Sequence, residues 1–178
     1  MRKLVYYVAT SLDGYIAGPN ESVELFSSEG PLVEKYQQDL QEFDTVIMGR
    51  KTYEFGYKFG LPPGQPAYPH MRHYIFSDSL TLDNPHELVN VVPRGLKLVE
   101  ELKAEEGTDI YLCGGGIFAG WLLDHQLIDG LKIKLNPIIL GGGTPLFGES
   151  QTALSLHRTD VEEFEGGVSL RTYGIQYS

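Results

Sequence analysis

Two periods of hydrophobicity alternate along most of the chain. Short runs rich in β-branched and aromatic residues read as strands: "KLVYYVAT" (3–10), "TVIMG" (45–49), "HYIFS" (73–77), "VNVV" (89–92) and "DIYLCG" (109–114). Between them lie stretches with helical spacing. "GPLVEKYQQDLQEFD" (30–44) places Leu32, Val33, Tyr36, Leu40 and Phe43 on one stripe, with Pro31 suited to a first turn. "GLKLVEELKAEEG" (95–107) turns Leu96, Val99 and Leu102 inward, and Gly107 reads as its stop signal. "IFAGWLLDHQL" (117–127) is a third helix, and "RKTYEFG" (50–56) gives one or two helical turns. After Gly130 only strand-like segments remain: "LKIKLNPIIL", "ALSLHRTDVEEFE" and "VSLRTYGIQY".

This order predicts an α/β fold, a mostly parallel sheet covered by helices and finished by antiparallel C-terminal strands. "SLDGYIAGPNES" (11–22) and the proline-rich "LPPGQPAYPH" (61–70) are loops. No repeat or interdomain linker breaks the pattern, so residues 1–178 read as a single domain.

Composition narrows the partners. With 14 Lys and Arg against 24 Asp and Glu, the formal net charge is −10. That argues against nucleic acid or an anionic membrane surface as the main partner. A small anion is still compatible, because helix N-termini and a few basic side chains create local positive potential. The lone Cys113 allows no disulfide within the chain. No run approaches the roughly 20 apolar residues needed to span a bilayer. The expectation is a cytoplasmic protein.

Several familiar sites are missing. There is no G-x-x-x-x-G-K-[ST], no G-x-S-x-G and no H-E-x-x-H. The histidines at 70, 73, 86, 125 and 157 show no zinc-ligand spacing, so no metal is expected.

Glycine turns carry the candidate chemistry. Gly114–Ala119 fits G-x-G-x-x-A, although it lies late in the chain rather than in a first βαβ unit. A glycine turn between strand and helix still presents backbone N–H groups to an anion. "VIMGRKTYE" (46–54) repeats the arrangement, now with Arg50 and Lys51 beside Gly49. Two such turns suit the phosphates of one extended dinucleotide. Tyr53, Phe55, Tyr57 and Phe59 either wall a pocket for a flat heterocycle or cover the core.

"ATSLDGYIAG", "DTVIMGRKTYE", "YIFSDS", "IYLCGGGIFAGWLL" and "LNPIILGGGTPLF" occur in that order. Together they resemble the dihydrofolate reductase-like superfamily, closest to the C-terminal reductase domain of the bifunctional riboflavin-biosynthesis deaminase/reductase. The resemblance spans nearly the whole chain. It implies a three-layer sandwich with an eight-stranded mixed sheet, NADPH as cofactor, a small-molecule substrate and a homodimer. Gly49, Arg50, Lys51 and Thr52 would hold cofactor phosphates. Ser77, Asp78 and Ser79 would lie near the adenosine ribose. Gly114, Gly115, Gly116, Ile117 and Phe118 would support the pyrophosphate and nicotinamide. Ala9 and Ser11 would meet the nicotinamide, and Leu12 and Gly14 the substrate. The chain departs from the family at Tyr7, where the riboflavin enzymes usually have a basic residue, and at Asp78, whose carboxylate would repel a 2′-phosphate.

The implied activity is hydride transfer to a pteridine- or pyrimidine-like heterocycle, as in 5-amino-6-(5-phosphoribosylamino)uracil reductase. Such transfer needs alignment and exclusion of water, not a protein nucleophile. Asp13 and Glu34 are the candidate proton donors. Dihydrofolate reduction is one alternative, and a non-catalytic NADP-binding protein is another.

Overall fold

The computed structural model describes residues 1–178. In chain order its elements are β1 (Leu4–Thr10), β2 (Tyr15–Ala17), α1 (Pro31–Leu40), β3 (Thr45–Gly49), α2 (Arg50–Phe55), β4 (Arg72–Phe76) and β5 (Val89–Val92). There follow α3 (Leu96–Ala104), β6 (Ile110–Gly114), α4 (Gly116–Asp124), β7 (Gly130–Leu135), β8 (Thr144–Pro145), β9 (Leu156–Glu163) and β10 (Ser169–Ile175). Eight strands form one sheet in the order β5-β4-β3-β6-β1-β7-β10-β9. β10 runs antiparallel to both of its neighbours, and the other pairings are parallel.

The period-two alternation of the strands divides the core. Leu4, Tyr6, Ile47, Leu112 and Ile133 face the side covered by α3 and α4, joining Val99, Leu102, Phe118 and Leu122. Tyr7, Val46, Met48, Ile75 and Tyr111 face the other side, with Leu32 and Leu40 of α1 and Tyr53 of α2. The result is the expected mixed, mostly parallel three-layer sandwich.

Two short strands were not foreseen. β2 and β8 pair antiparallel as a separate ribbon beside the main sheet. Strands of two and three residues carry no readable period. The segment after β8 lies directly on α4. A Cβ on Gly116 would sit 2.1 Å from the Pro145 carbonyl oxygen, and one on Gly120 2.1 Å from that of Phe147. The two helix glycines therefore form a bare stripe that lets a second backbone approach.

Gly107 has a role other than helix stop, since α3 ends at Ala104. A Cβ there would lie 2.7 Å from Asp44 Oδ2 and 3.1 Å from Arg2 Cζ. The buried Arg2 guanidinium pairs with Asp44 and donates to Thr45 Oγ1 at 3.0 Å. This cluster ties together the N-terminal ends of the strands, away from the glycine turns.

Candidate active site

Parallel strands expose their C-terminal ends along one rim of the sheet, where α/β folds bind ligands. β3 and β6 are neighbours, with Met48 opposite Gly114, so the two glycine turns emerge side by side. A Cβ on Gly49 would stand 3.4 Å from Phe118 Cβ, and one on Gly115 3.1 Å from Thr52 Oγ1. The Gly114–Gly115 peptide is cis. A cleft of about 570 Å³ opens over both turns.

Gly49, Arg50, Lys51, Thr52, Ser77, Asp78, Gly115, Gly116, Ile117 and Phe118 all line this cleft. Other anticipated residues stand behind it. Gly114 is buried, with the Tyr6 ring 3.7 Å from its missing Cβ position. Ser79 accepts a 2.8 Å hydrogen bond from the Arg50 guanidinium, whose Nε is 2.9 Å from Glu54. Ser77 Oγ accepts the Leu80 amide at 2.9 Å and shapes the turn after β4. Of the four aromatic residues at 53–59, only Phe55 reaches the cleft. Tyr53 is buried in the core and packs edge-on against Tyr57.

The first loop differs from expectation. Val8 lines the cleft, whereas Ala9, Ser11, Leu12 and Gly14 do not. Ser11 is buried and holds the turn, accepting the Tyr15 amide at 3.0 Å. Leu12 is 66% exposed. Gly14 takes φ +86°, a left-handed conformation that glycine supplies without strain.

Neither candidate proton donor faces the cleft. Asp13 accepts the amides of Leu140 at 3.1 Å and Gly141 at 2.8 Å. The Ser11 hydroxyl and then these amides hold its pKa at about 2, so it stays ionised. Its role is to clasp the loop after β1 to the segment after β7. Glu34 is exposed on α1.

Residues beyond the sequence reading complete the walls. Ile16, Ala17 and Thr144 of the ribbon close one side. Arg94 lines the cleft with its guanidinium 4.8 Å from the Trp121 ring, a cation–π contact. Its amide donates to Asp78 Oδ1 at 3.1 Å, which ties the turn after β5 to the turn after β4. A single arginine in a "PRG" turn carries no motif that would have revealed it. Cys113 lines the cleft from β6, and burial pushes its thiol pKa up. Tyr68 Oη lies 3.7 Å from its sulfur. His70 and His73 are structural: His73 is fully buried, donating through Nδ1 to the Met71 carbonyl and accepting the Tyr68 amide at Nε2.

Known proteins share this architecture. The sequence is 32% identical over 172 residues to the uncharacterised YwjB of Bacillus subtilis (strain 168), covering 95% of this chain and 96% of that protein. It is 25% identical to the uncharacterised YyaP of the same organism, covering 94% and 92%. A solved structure from Shewanella sp. PV-4, provisionally assigned to riboflavin biosynthesis, aligns with TM-score 0.81 at 26% identity over 98% of this chain and 99% of that one. The Thermotoga maritima diaminohydroxyphosphoribosylaminopyrimidine deaminase/5-amino-6-(5-phosphoribosylamino)uracil reductase shares the fold, with TM-score 0.71 at 16% identity over 97% of this chain and 56% of that one. The family described as the RibD C-terminal domain matches residues 2–170, and the chain belongs to it.

Proposed function

We propose that this protein is an NADPH-dependent reductase that reduces a pteridine- or pyrimidine-like heterocycle. The observation that carries the reading is the pair of strand–glycine–helix turns on adjacent strands, opening into one cleft with Arg50, Lys51 and Arg94 on its wall. The chain as a whole is strongly acidic, so three cations lining one cleft stand out, Arg50 among them paired with Glu54. Of the two carboxylates there, Glu21 pairs with Lys58 at 3.4 Å and Asp78 with the Arg94 amide. A volume of about 570 Å³ lies within the ordinary range for small-molecule sites.

The donor set fits a phosphorylated dinucleotide. Arg50 and Lys51 supply charge beside the turn after β3. Arg94 adds a further guanidinium to the cleft lining, suited to a 2′-phosphate. Gly115 leaves backbone without a side chain at the start of α4, while the bare side of Gly116 is taken up by Pro145. Once bound, the nicotinamide supplies the hydride. Val8, Ile16 and Phe118 offer apolar walls that keep water from the reacting atoms.

The test is a fluorescence titration with NADPH and NADH. Loss of reduced-nicotinamide absorbance is then followed with 5-amino-6-(5-phosphoribosylamino)uracil and with dihydrofolate. Binding of NADPH with turnover of the uracil is the expected result. Failure to bind either nucleotide overturns the proposal. Binding without turnover of any heterocycle would make the protein a nucleotide-binding module instead.

A further inference from the structure

Two lysines on β7 share one face of the sheet and have opposite fates. Lys132 lies 2.8 Å from Asp39 of α1, a complete ion pair. The ammonium of Lys134, two residues on, has no carboxylate or hydrogen-bond partner within the chain. Its ammonium rests over the Tyr36 ring at 3.2 Å from the centroid, with the Tyr7 ring at 5.8 Å. The side chain is only partly exposed. Burial lowers its pKa to about 8, and its charge acts on the Cys113 thiol, which lines the cleft. In register, Lys134 stands opposite Ala9, near the C-terminal end of β1; it shares that rim of the sheet with the cleft but is not among the residues lining it.

A half-buried ammonium that faces aromatic rings and no anion has lost part of its hydration, which an oxygen of a ligand can replace. The surroundings specify that ligand. The half-buried Tyr36 offers aromatic surface beside the ammonium, which favours a flat ring, while Tyr7 is buried in the core. Phosphate takes several donors at once, but Lys132 is already engaged by Asp39. A single oxygen on a planar ring needs only one donor.

We infer that Lys134 is the substrate-anchoring cation of this site, binding a carbonyl or anionic ring oxygen of the heterocycle. This inference rests on the reductase reading and adds to it the group that orients the substrate. Lys134 thereby brings positive charge to the region of Tyr7 from the neighbouring strand.

The probe is pteridine-2,4-dione, titrated by fluorescence at neutral pH into the wild type, Lys134→Met and Lys134→Gln, with and without NADP+. Both variants are expected to bind the probe about tenfold or more weakly. Their NADPH affinity should remain within about twofold and their Tm should not fall. A structural lysine would move Tm and leave probe affinity in the folded protein unchanged. Equal probe affinity in wild type and either folded variant overturns the inference, as does a wild type that binds NADPH but not the probe. Failure of NADPH binding alone counts against the reductase reading, and the nucleotide-free arm still reads Lys134.

Discussion

Thr52 and Gly115 meet across two parallel strands: a Cβ on Gly115 would lie 3.1 Å from Thr52 Oγ1. This contact joins the two glycine turns, and it separates two glycines that look alike in sequence. Gly115→Ala needs only a small shift of the Thr52 side chain, so the fold should survive with weakened NADPH binding. Gly116→Ala places a methyl against the Pro145 carbonyl and should cost about 3 kcal/mol or more. Thermal unfolding and NADPH titration of both variants check this; a lower Tm for the first than for the second would refute it.

Arg94 should discriminate between cofactors. The residue lines the cleft, its amide bound to Asp78 and its guanidinium over the Trp121 ring. Arg94→Ala is expected to weaken NADPH about tenfold and NADH little, since a lost charged hydrogen bond amounts to roughly 1.5–3 kcal/mol. Equal losses for both nucleotides would place the 2′-phosphate elsewhere.

Asp13 should act through loop geometry. Its carboxylate is ionised down to a pH of about 2 and clasps Leu140 and Gly141. Asp13→Asn should alter KM more than kcat and leave the pH profile of turnover in place. Disappearance of a limb of that profile would restore Asp13 as a proton donor.

His73 sets an acid limit. Burial lowers its pKa from an ordinary 6.5 to about 4. Between these values the unfolded chain binds the proton and the folded chain does not, so stability falls as pH drops from 6.5 to 4. The gap corresponds to about 3 kcal/mol. His73→Gln should flatten this segment of a Tm-against-pH curve.

Lys134 gives the opposite dependence in binding. It faces Tyr7 from β1, Tyr36 from α1 and Cys113 from β6, while Lys132 on its own strand is held by Asp39. Affinity for a heterocycle bearing a neutral carbonyl should be full below a pH of about 8 and decline above it as the ammonium loses its proton. Stability runs the other way: between about 8 and the ordinary 10.5 the unfolded chain binds the extra proton, so this group's contribution rises with pH. Parallel titrations and melts over that range check both signs.

Much of this fold was legible because its strands and helices bury opposite periodicities. Strand–glycine–helix junctions were readable too, since glycines break two apolar runs, although only Gly114 has a positive φ that demands glycine. Lys134 was not: "LKIKL" alternates like any half-exposed strand, and only α1 lying over that face buries the amine. Arg94 lacked a motif, and its position depends on β5 lying beside β4. Asp13 and Glu34 were misplaced for a related reason. A carboxylate near a site in sequence acquires its partners from segments far along the chain, here Leu140 and Gly141 for Asp13.

The β2–β8 ribbon also constrains how the protein is made. Ala17 pairs with Thr144, and a Cβ on Gly143 would lie 2.1 Å from the Ala17 carbonyl, so this seam is tight. Ile16 and Ala17 emerge early from the ribosome, but their wall of the cleft is complete only after Thr144 follows. A nascent chain shorter than that carries both glycine turns on an unfinished binding surface. A nucleotide bound as proposed would therefore stabilise only chains whose synthesis has passed the ribbon.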